Sequence, residues 1–152
     1  MSSYLHFFLR SGDKFLPLAT YGRGSNIYGT FGNVPYGHVC ALTNQTLDSI
    51  RVELREGLER SRHELDRIDA RIVQIGQFSG SIDEKLEAIY AEEENFEEVR
   101  ESIKEDERAD NFISFLYDIL DEARYGGEGI DPEAYLYAGI ECSKPTIEDI
   151  EI

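Results

Sequence analysis

The sequence predicts an α+β fold in which a small antiparallel sheet, an N-terminal hairpin plus a C-terminal strand, packs on a long antiparallel helical hairpin with coiled-coil-like pairing. Three observations carry this. Apolar residues recur at Leu47, Ile50, Leu54, Leu58, Leu65, Ile68, Ile72 and Ile75, at steps that place one stripe on one helical face. A second stripe, at Ile82, Leu86, Ile89, Phe96, Val99 and Ile103, follows a break at Gln77-Phe78-Ser79-Gly80-Ser81. Both chain ends instead carry short runs rich in aromatic and branched residues, the composition of strands.

With 152 residues the chain suits a single domain, divided into N-terminal strands with a glycine-rich loop (1–43), a helical hairpin (44–124) and a C-terminal strand with an acidic tail (125–152). A hydrophobic content of 41% with 11% aromatic residues excludes a wholly disordered chain. The net charge of −16 is uneven: residues 1–43 carry +2, 44–80 carry −1, 81–124 carry −11 and 125–152 carry −6. Such a balance argues against direct binding of a nucleic-acid backbone, where lysine and arginine replace condensed counterions. It favours solubility and basic partners. Cys40 and Cys142 are too few for a disulfide framework, no basic-then-apolar leader opens the chain, and no apolar run reaches the roughly 20 residues that span a bilayer. A cytoplasmic location and no membrane partner are therefore expected.

Tyr4–Arg10 and Phe15–Tyr21 flank the turn residues Ser11-Gly12-Asp13-Lys14, which predicts the first hairpin. Pro17 lacks a ladder donor and so belongs at an edge or a bulge. Ser25 can cap a short helical turn, and His38–Leu42 can form a short third strand before a helix capped by Thr43 or Asn44. The first arm covers about 32 residues and at about 1.5 Å per residue measures near 48 Å, long enough to project or to meet a second copy. Gly57 interrupts it. Gly76 and Gly80 are suited to positive φ at the break, and Ser81-Ile82-Asp83-Glu84 matches a capping box.

Arg51, Arg55, Arg60, Arg62, Arg67 and Arg71 are expected opposite Glu92-Glu93-Glu94, Glu97-Glu98 and Glu101. Exposed ion pairs contribute only about 0.2–1 kcal/mol each and select the pairing more than they stabilise it. Beyond Ile103 the charged run 104–108 interrupts the stripe and leaves open whether the helix kinks near 105–108. The broad face of Phe112, Ile113, Phe115, Leu116, Ile119 and Leu120 then predicts the core, where truncating Phe112, Phe115 or Leu116 to alanine costs about 2–5 kcal/mol each. Tyr125-Gly126-Gly127 ends the helix. Ala134–Cys142 reads as a strand pairing with Tyr4–Arg10, and the alternation in Thr146–Ile152 suits an edge strand, and equally a flexible tail or a segment that pairs with another chain.

Two stretches are candidate sites. Gly22-Arg23-Gly24-Ser25-Asn26 offers successive amides and an arginine to a small anion or nucleotide. It matches neither the phosphate-loop nor the dinucleotide fingerprint, and a glycine-rich connection that turns sharply between strand and helix is the preferred explanation. Glu93, Glu97 and Glu101 mark an acidic face that reads either as solvated surface or as a mimic of nucleic-acid phosphates directed at a basic groove. No catalytic constellation is present: an exposed helix does not separate the pKa values of paired acids, and no His-x-x-x-His or Cys-x-x-Cys spacing implies a metal. Hence no cofactor and no enzymatic activity are expected. The expected function is protein interaction through the helical hairpin, with a protein partner or a second copy. The alternatives are an acidic inhibitor of a nucleic-acid-binding host or defence protein, and an anion binder at residues 22–26.

Overall fold

A computed structural model describes residues 3–151. In chain order they form β1 (Tyr4–Ser11), β2 (Lys14–Gly22), α1 (Asn26–Thr30), β3 (Cys40–Leu42), α2 (Asn44–Gln77), α3 (Ile82–Tyr125), β4 (Tyr135–Ile140) and a 3-10 turn at Ile147–Asp149. The fold is α+β, with a four-stranded antiparallel sheet of order β2-β1-β4-β3. Two compact units divide the chain: residues 3–51 with 109–151, and Val52–Arg108. Each long helix contributes residues to both.

In the first unit both chain ends meet on β1, which pairs with β2 on one side and β4 on the other. Pro17 fulfils both of its expected roles. It lies on the edge strand β2, and the register shifts there, with Phe7 opposite Ala19 and Phe8 opposite Pro17, so Leu18 is the extra residue of a bulge. The short strand β3 extends the sheet beyond the two ends by pairing with β4.

Consecutive residues of a strand point to opposite faces, and here both faces are covered. On one, the Phe7 ring meets Phe112 edge-on at 4.7 Å between centroids and Phe31 at 5.1 Å, and Phe112 meets Tyr21 at 5.1 Å. Leu5, Ile113 and Leu116 are fully buried. On the other, Phe8 packs with Val39, Tyr137 and Cys142, backed by Phe15 and Ile150. Arg10 closes that side, donating from Nη1 to Tyr137 Oη at 2.9 Å and lying over the Phe15 and Tyr137 rings.

The tail differs from expectation. Thr146–Glu151 does not run as an edge strand. Pro145 precedes a 3-10 turn whose entry is held by the Asp149 carboxylate, which accepts from Thr146 N at 2.8 Å. Local capping therefore outweighs the alternating pattern. The tail still touches the sheet: Val39 N donates to Asp149 O at 2.9 Å and Glu151 N to Val39 O at 2.8 Å, which lays Ile150 against Phe8's cluster.

Two more expectations are corrected. Phe115 is 41% exposed, because the broad stripe of α3 is wider than the surface that covers it. The helix α3 runs through 105–108 as one continuous element, Ile82–Tyr125. Gly76 lies inside α2 and neither it nor Gly80 adopts positive φ; that conformation occurs at Gly12, Gly37, Gly127 and Gly129.

In the second unit, Val52–Arg108, the two helices share one seam. Leu58, Ile68 and Ile103 are buried. Half-buried Gly57, Glu64 and Arg71 on α2 and Lys85 and Ala88 on α3 flank it, and along its centre run half-buried Leu54, Ser61, Leu65, Ile72 and Ile75 on α2, and Ile89, Glu92, Phe96, Val99 and Asp106 on α3. Taken with the buried residues, they step by four and three alternately. Arg71 Nε bonds Glu92 Oε2 across the seam at 3.2 Å and Arg62 reaches Glu107 at 3.3 Å, which fixes the antiparallel alignment. At the turn, Glu84 N donates to Ser81 Oγ at 3.2 Å, the serine half of the expected capping box.

Equilibrium unfolding in urea tests the placement of the core. Phe112→Ala is expected to cost about 3–5 kcal/mol and Phe115→Ala less than half as much. Gly139→Ala is expected to cost at least the roughly 1–3 kcal/mol of an overpacked core, because its Cβ would lie 1.9 Å from His38 O.

Candidate interaction surface

Residues four apart on a helix lie one above another on the same face. On α3 the row Ile82, Leu86, Tyr90, Glu94, Glu98 and Ser102 follows that spacing but turns about 40° round the helix at each step, starting in phase with the seam residues Ile89, Phe96 and Ile103 and reaching the opposite side by Glu98. Its first three members are large and uncovered, with Ile82 75% exposed, Leu86 41% and Tyr90 63%. Phe78 at the turn is 64% exposed and Val73, near the end of α2, 60%. On the turns that follow, the outer side of α3 is acidic. Glu94, Glu97, Glu98, Glu101, Ser102 and Glu105 line a shallow groove of about 500 Å³.

The expected acids are thus only partly gathered. Glu97 and Glu101 lie in this groove, whereas Glu93 is exposed on the same helix outside its lining. Their partners are also not those expected. Of the acids placed opposite the arginines by sequence, Glu92 takes Arg71, but Glu97 pairs with Arg100 at 3.6 Å and Glu101 with Lys104 at 3.2 Å, both on α3 itself. Acids that flank the seam meet arginines of α2; acids on the outer face find only cations three residues along their own helix.

The Gly22–Asn26 stretch is held by its own hydrogen bonds. Ser25 N donates to Gly22 O at 3.0 Å, the Ser25 hydroxyl accepts from Ile27 N at 3.2 Å and caps α1, and Asn26 O accepts from Thr30 Oγ1 at 2.9 Å. Gly24 has open space where a side chain would stand. Arg23 lines neither the acidic groove nor the second cleft described next.

That second cleft, of about 420 Å³, lies at the start of α2 and was not visible in the sequence. It is lined by Ala41, Leu42, Thr43, Asn44, Gln45, Arg124, Pro132 and Tyr135. Its cation has structural work already: Arg124 Nε donates to Ala134 O at 2.8 Å and the guanidinium lies 4.8 Å from the Tyr135 ring centre. Thr43 Oγ1 caps the helix by accepting from Thr46 N at 3.1 Å.

Other chemistry-bearing groups are quiet. Cys40 and Cys142 are both free thiols, and burial, assisted by Glu151 and Asp149 respectively, pushes both upward in pKa, away from the reactive thiolate. Burial lowers the pKa of His6, which lies 3.0 Å from Thr20 Oγ1, against the opposing charge of Glu141. Among the described residues no group of three His, Cys, Asp or Glu side chains is placed to hold a metal ion, and no helix is long and apolar enough to cross a membrane. Compared with family models, curated proteins and solved structures, the chain matches none.

One group has a strongly displaced titration. Desolvation, followed by the hydrogen bond to Asp48, pushes the Tyr117 phenol up to about 12. A phenol whose folded pKa exceeds its unfolded value of about 10 stabilises the fold below pH 10, and that contribution disappears as pH rises from about 10 to about 12. Ultraviolet titration of the phenolates is expected to show one late transition that Tyr117→Phe removes; an unchanged late transition would assign it elsewhere.

Proposed function

We propose that this protein is a non-catalytic interaction module in which the α2–α3 hairpin presents a helical face to another protein. The observation that carries the reading is the row of exposed apolar side chains on α3, Ile82, Leu86 and Tyr90, continued by Phe78 at the turn. Scattered surface apolar residues need no explanation, but a contiguous set of large ones marks a contact area. The four-three spacing of the seam supports coiled-coil-like pairing of the two arms. Such pairing leaves the outer faces of both helices open to further helices.

A second reading draws on the acidic groove. The carboxylates of Glu94, Glu97, Glu98, Glu101 and Glu105 repeat along one face, a spacing of negative charge that suits a nucleic-acid mimic aimed at a basic groove in a host or defence protein. Exposed apolar anchors are not needed for that role, which is why the interaction module is preferred. An anion site at Gly22–Asn26 is the weakest reading, because the Ser25 N–H is spent on Gly22 O and the Ile27 N–H on the Ser25 hydroxyl.

Photo-crosslinking in cells that make the protein tests the proposal. A photoreactive residue in place of Tyr90 is expected to give a discrete protein adduct, and one in place of Tyr36, equally exposed at 66%, none. Equal yields at the two positions, or no adduct at either, would contradict it. For the mimic reading, charge reversal of Glu93, Glu97 and Glu101 to lysine is expected to abolish the adduct; an undiminished adduct would remove that reading.

A further inference from the structure

We infer that the uncovered apolar end of the hairpin docks on a second copy of this chain, two hairpins overlapping tip to tip in antiparallel register about a two-fold axis at Leu86. The inference rests on the interaction reading above and deepens it by naming the partner.

The patch is built from both arms. Reckoned at about 100° per residue, Ile82, Leu86 and Tyr90 turn progressively off the α3 seam, by about 50°, 90° and 130°, and Val73 turns off the α2 seam by about 130° in the same sense. Because the arms run antiparallel, that shared sense of rotation brings all four to one face of the pair, the face on which Arg62 meets Glu107. Phe78, in the turn between the arms, ends the patch, and all five side chains are exposed. Charge is absent there. Residues 52–108 hold eighteen acids and nine bases, yet the eleven residues from Ile72 to Ile82 include none of them. A two-fold interface needs a surface complementary to itself, and an uncharged apolar patch meets that condition without any cation from a foreign partner.

Charge on the rest of the face sets the orientation. The Arg71–Glu92 pair puts residue 71 of α2 level with residue 92 of α3, so Asp66 and Asp69 lie level with Glu93 and Glu97, on the same face and directly below the patch. Two hairpins laid parallel would stack these four acids on the same four of the second copy. Turned antiparallel about Leu86, each acid band falls beside the other copy's uncharged turn, and the two bands stand about 27 Å apart at about 1.5 Å per residue, well past the roughly 8 Å screening length of physiological salt. The area suits a reversible contact. By their fractional exposures the five side chains present on the order of 600 Å² per copy, with about 150–250 Å² for a whole aromatic side chain, so the dimer buries about 1,200 Å² in total, the lower limit of stable interfaces.

Sedimentation velocity on the full chain between about 1 and 300 μM tests this. The mass is expected to rise from that of one chain toward that of two, and Leu86→Ser with Tyr90→Ser to weaken association by at least about tenfold. Thermal melts followed by circular dichroism check that these exposed substitutions leave the fold intact. Register is read by mild oxidation of single added thiols against the wild-type background. Leu86→Cys, at the two-fold axis, is expected to give at least about tenfold more disulfide-linked dimer than Glu97→Cys, whose two copies stand about 33 Å apart, far beyond the reach of a disulfide. Equal yields at the two positions, or a dimer that the double serine variant leaves intact, would overturn the proposal. A chain that stays monomeric throughout would overturn it as well, and the interaction reading would then stand on a foreign adduct at position 90 or fall without one.

Discussion

Two helices side by side have a single seam, and that limit governs the unit from Val52 to Arg108. Each arm can cover one stripe, and only Leu58, Ile68 and Ile103 lose nearly all contact with solvent there. The other seam residues, Leu54, Leu65, Ile72, Ile75, Ile89, Phe96 and Val99, keep part of their surface in solvent, and Val52, Val73, Ile82, Leu86 and Tyr90 are exposed. The arms are aligned by ion pairs at the seam's margins, Arg71 with Glu92 and Arg62 with Glu107, which select an antiparallel register at little net gain in energy. What a third helix would cover in a bundle stays open, and the functional reading follows from that geometry.

The unit built from both chain ends solves the opposite problem. Phe7 and Phe8 are adjacent in β1 and point to opposite faces, so each needs its own cover. Phe31, Phe112 and Tyr21 cover one, and Val39, Tyr137, Cys142 and Ile150 the other. A strand buried on both sides explains why the run Tyr4–Arg10 is nearly continuous in apolar residues instead of alternating. It also gives the tail a structural role, since Ile150 reaches Phe8's cluster from a 3-10 turn. Gly139 marks the closest approach, where the His38 carbonyl leaves no room for a side chain.

Most of this architecture was legible in the sequence, and its exceptions have physical causes. The helical arms showed in their apolar spacing, and the hairpin in its turn residues; the bulge showed in Pro17, and the caps in Ser25, Thr43 and Ser81. Phe115 was assigned to the core because periodicity reports a stripe but not the width of the surface available to cover it. For the tail, alternation offered an edge strand beside a flexible or chain-pairing segment, whereas the Thr146–Asp149 contact is visible only once those groups are in place. On the candidate surface, Glu97 and Glu101 were legible as acids, but that they turn away from the seam follows from their phase relative to Ile89 and Phe96. The apolar anchors Leu86 and Ile82 were read as seam residues, and the structure places both among its exposed large side chains. The cleft beside Arg124 joins segments far apart in the chain and leaves no local signature.

The central claim is that α3 carries one covered stripe and one uncovered apolar row in the isolated chain. Hydroxyl-radical footprinting of the full protein, read residue by residue at several dilutions, addresses it most directly. At high dilution Ile82, Leu86 and Tyr90 are expected to oxidise readily and Phe96, Val99 and Ile103 to be protected. Equal protection of Tyr90 and Phe96 at every dilution would contradict the account.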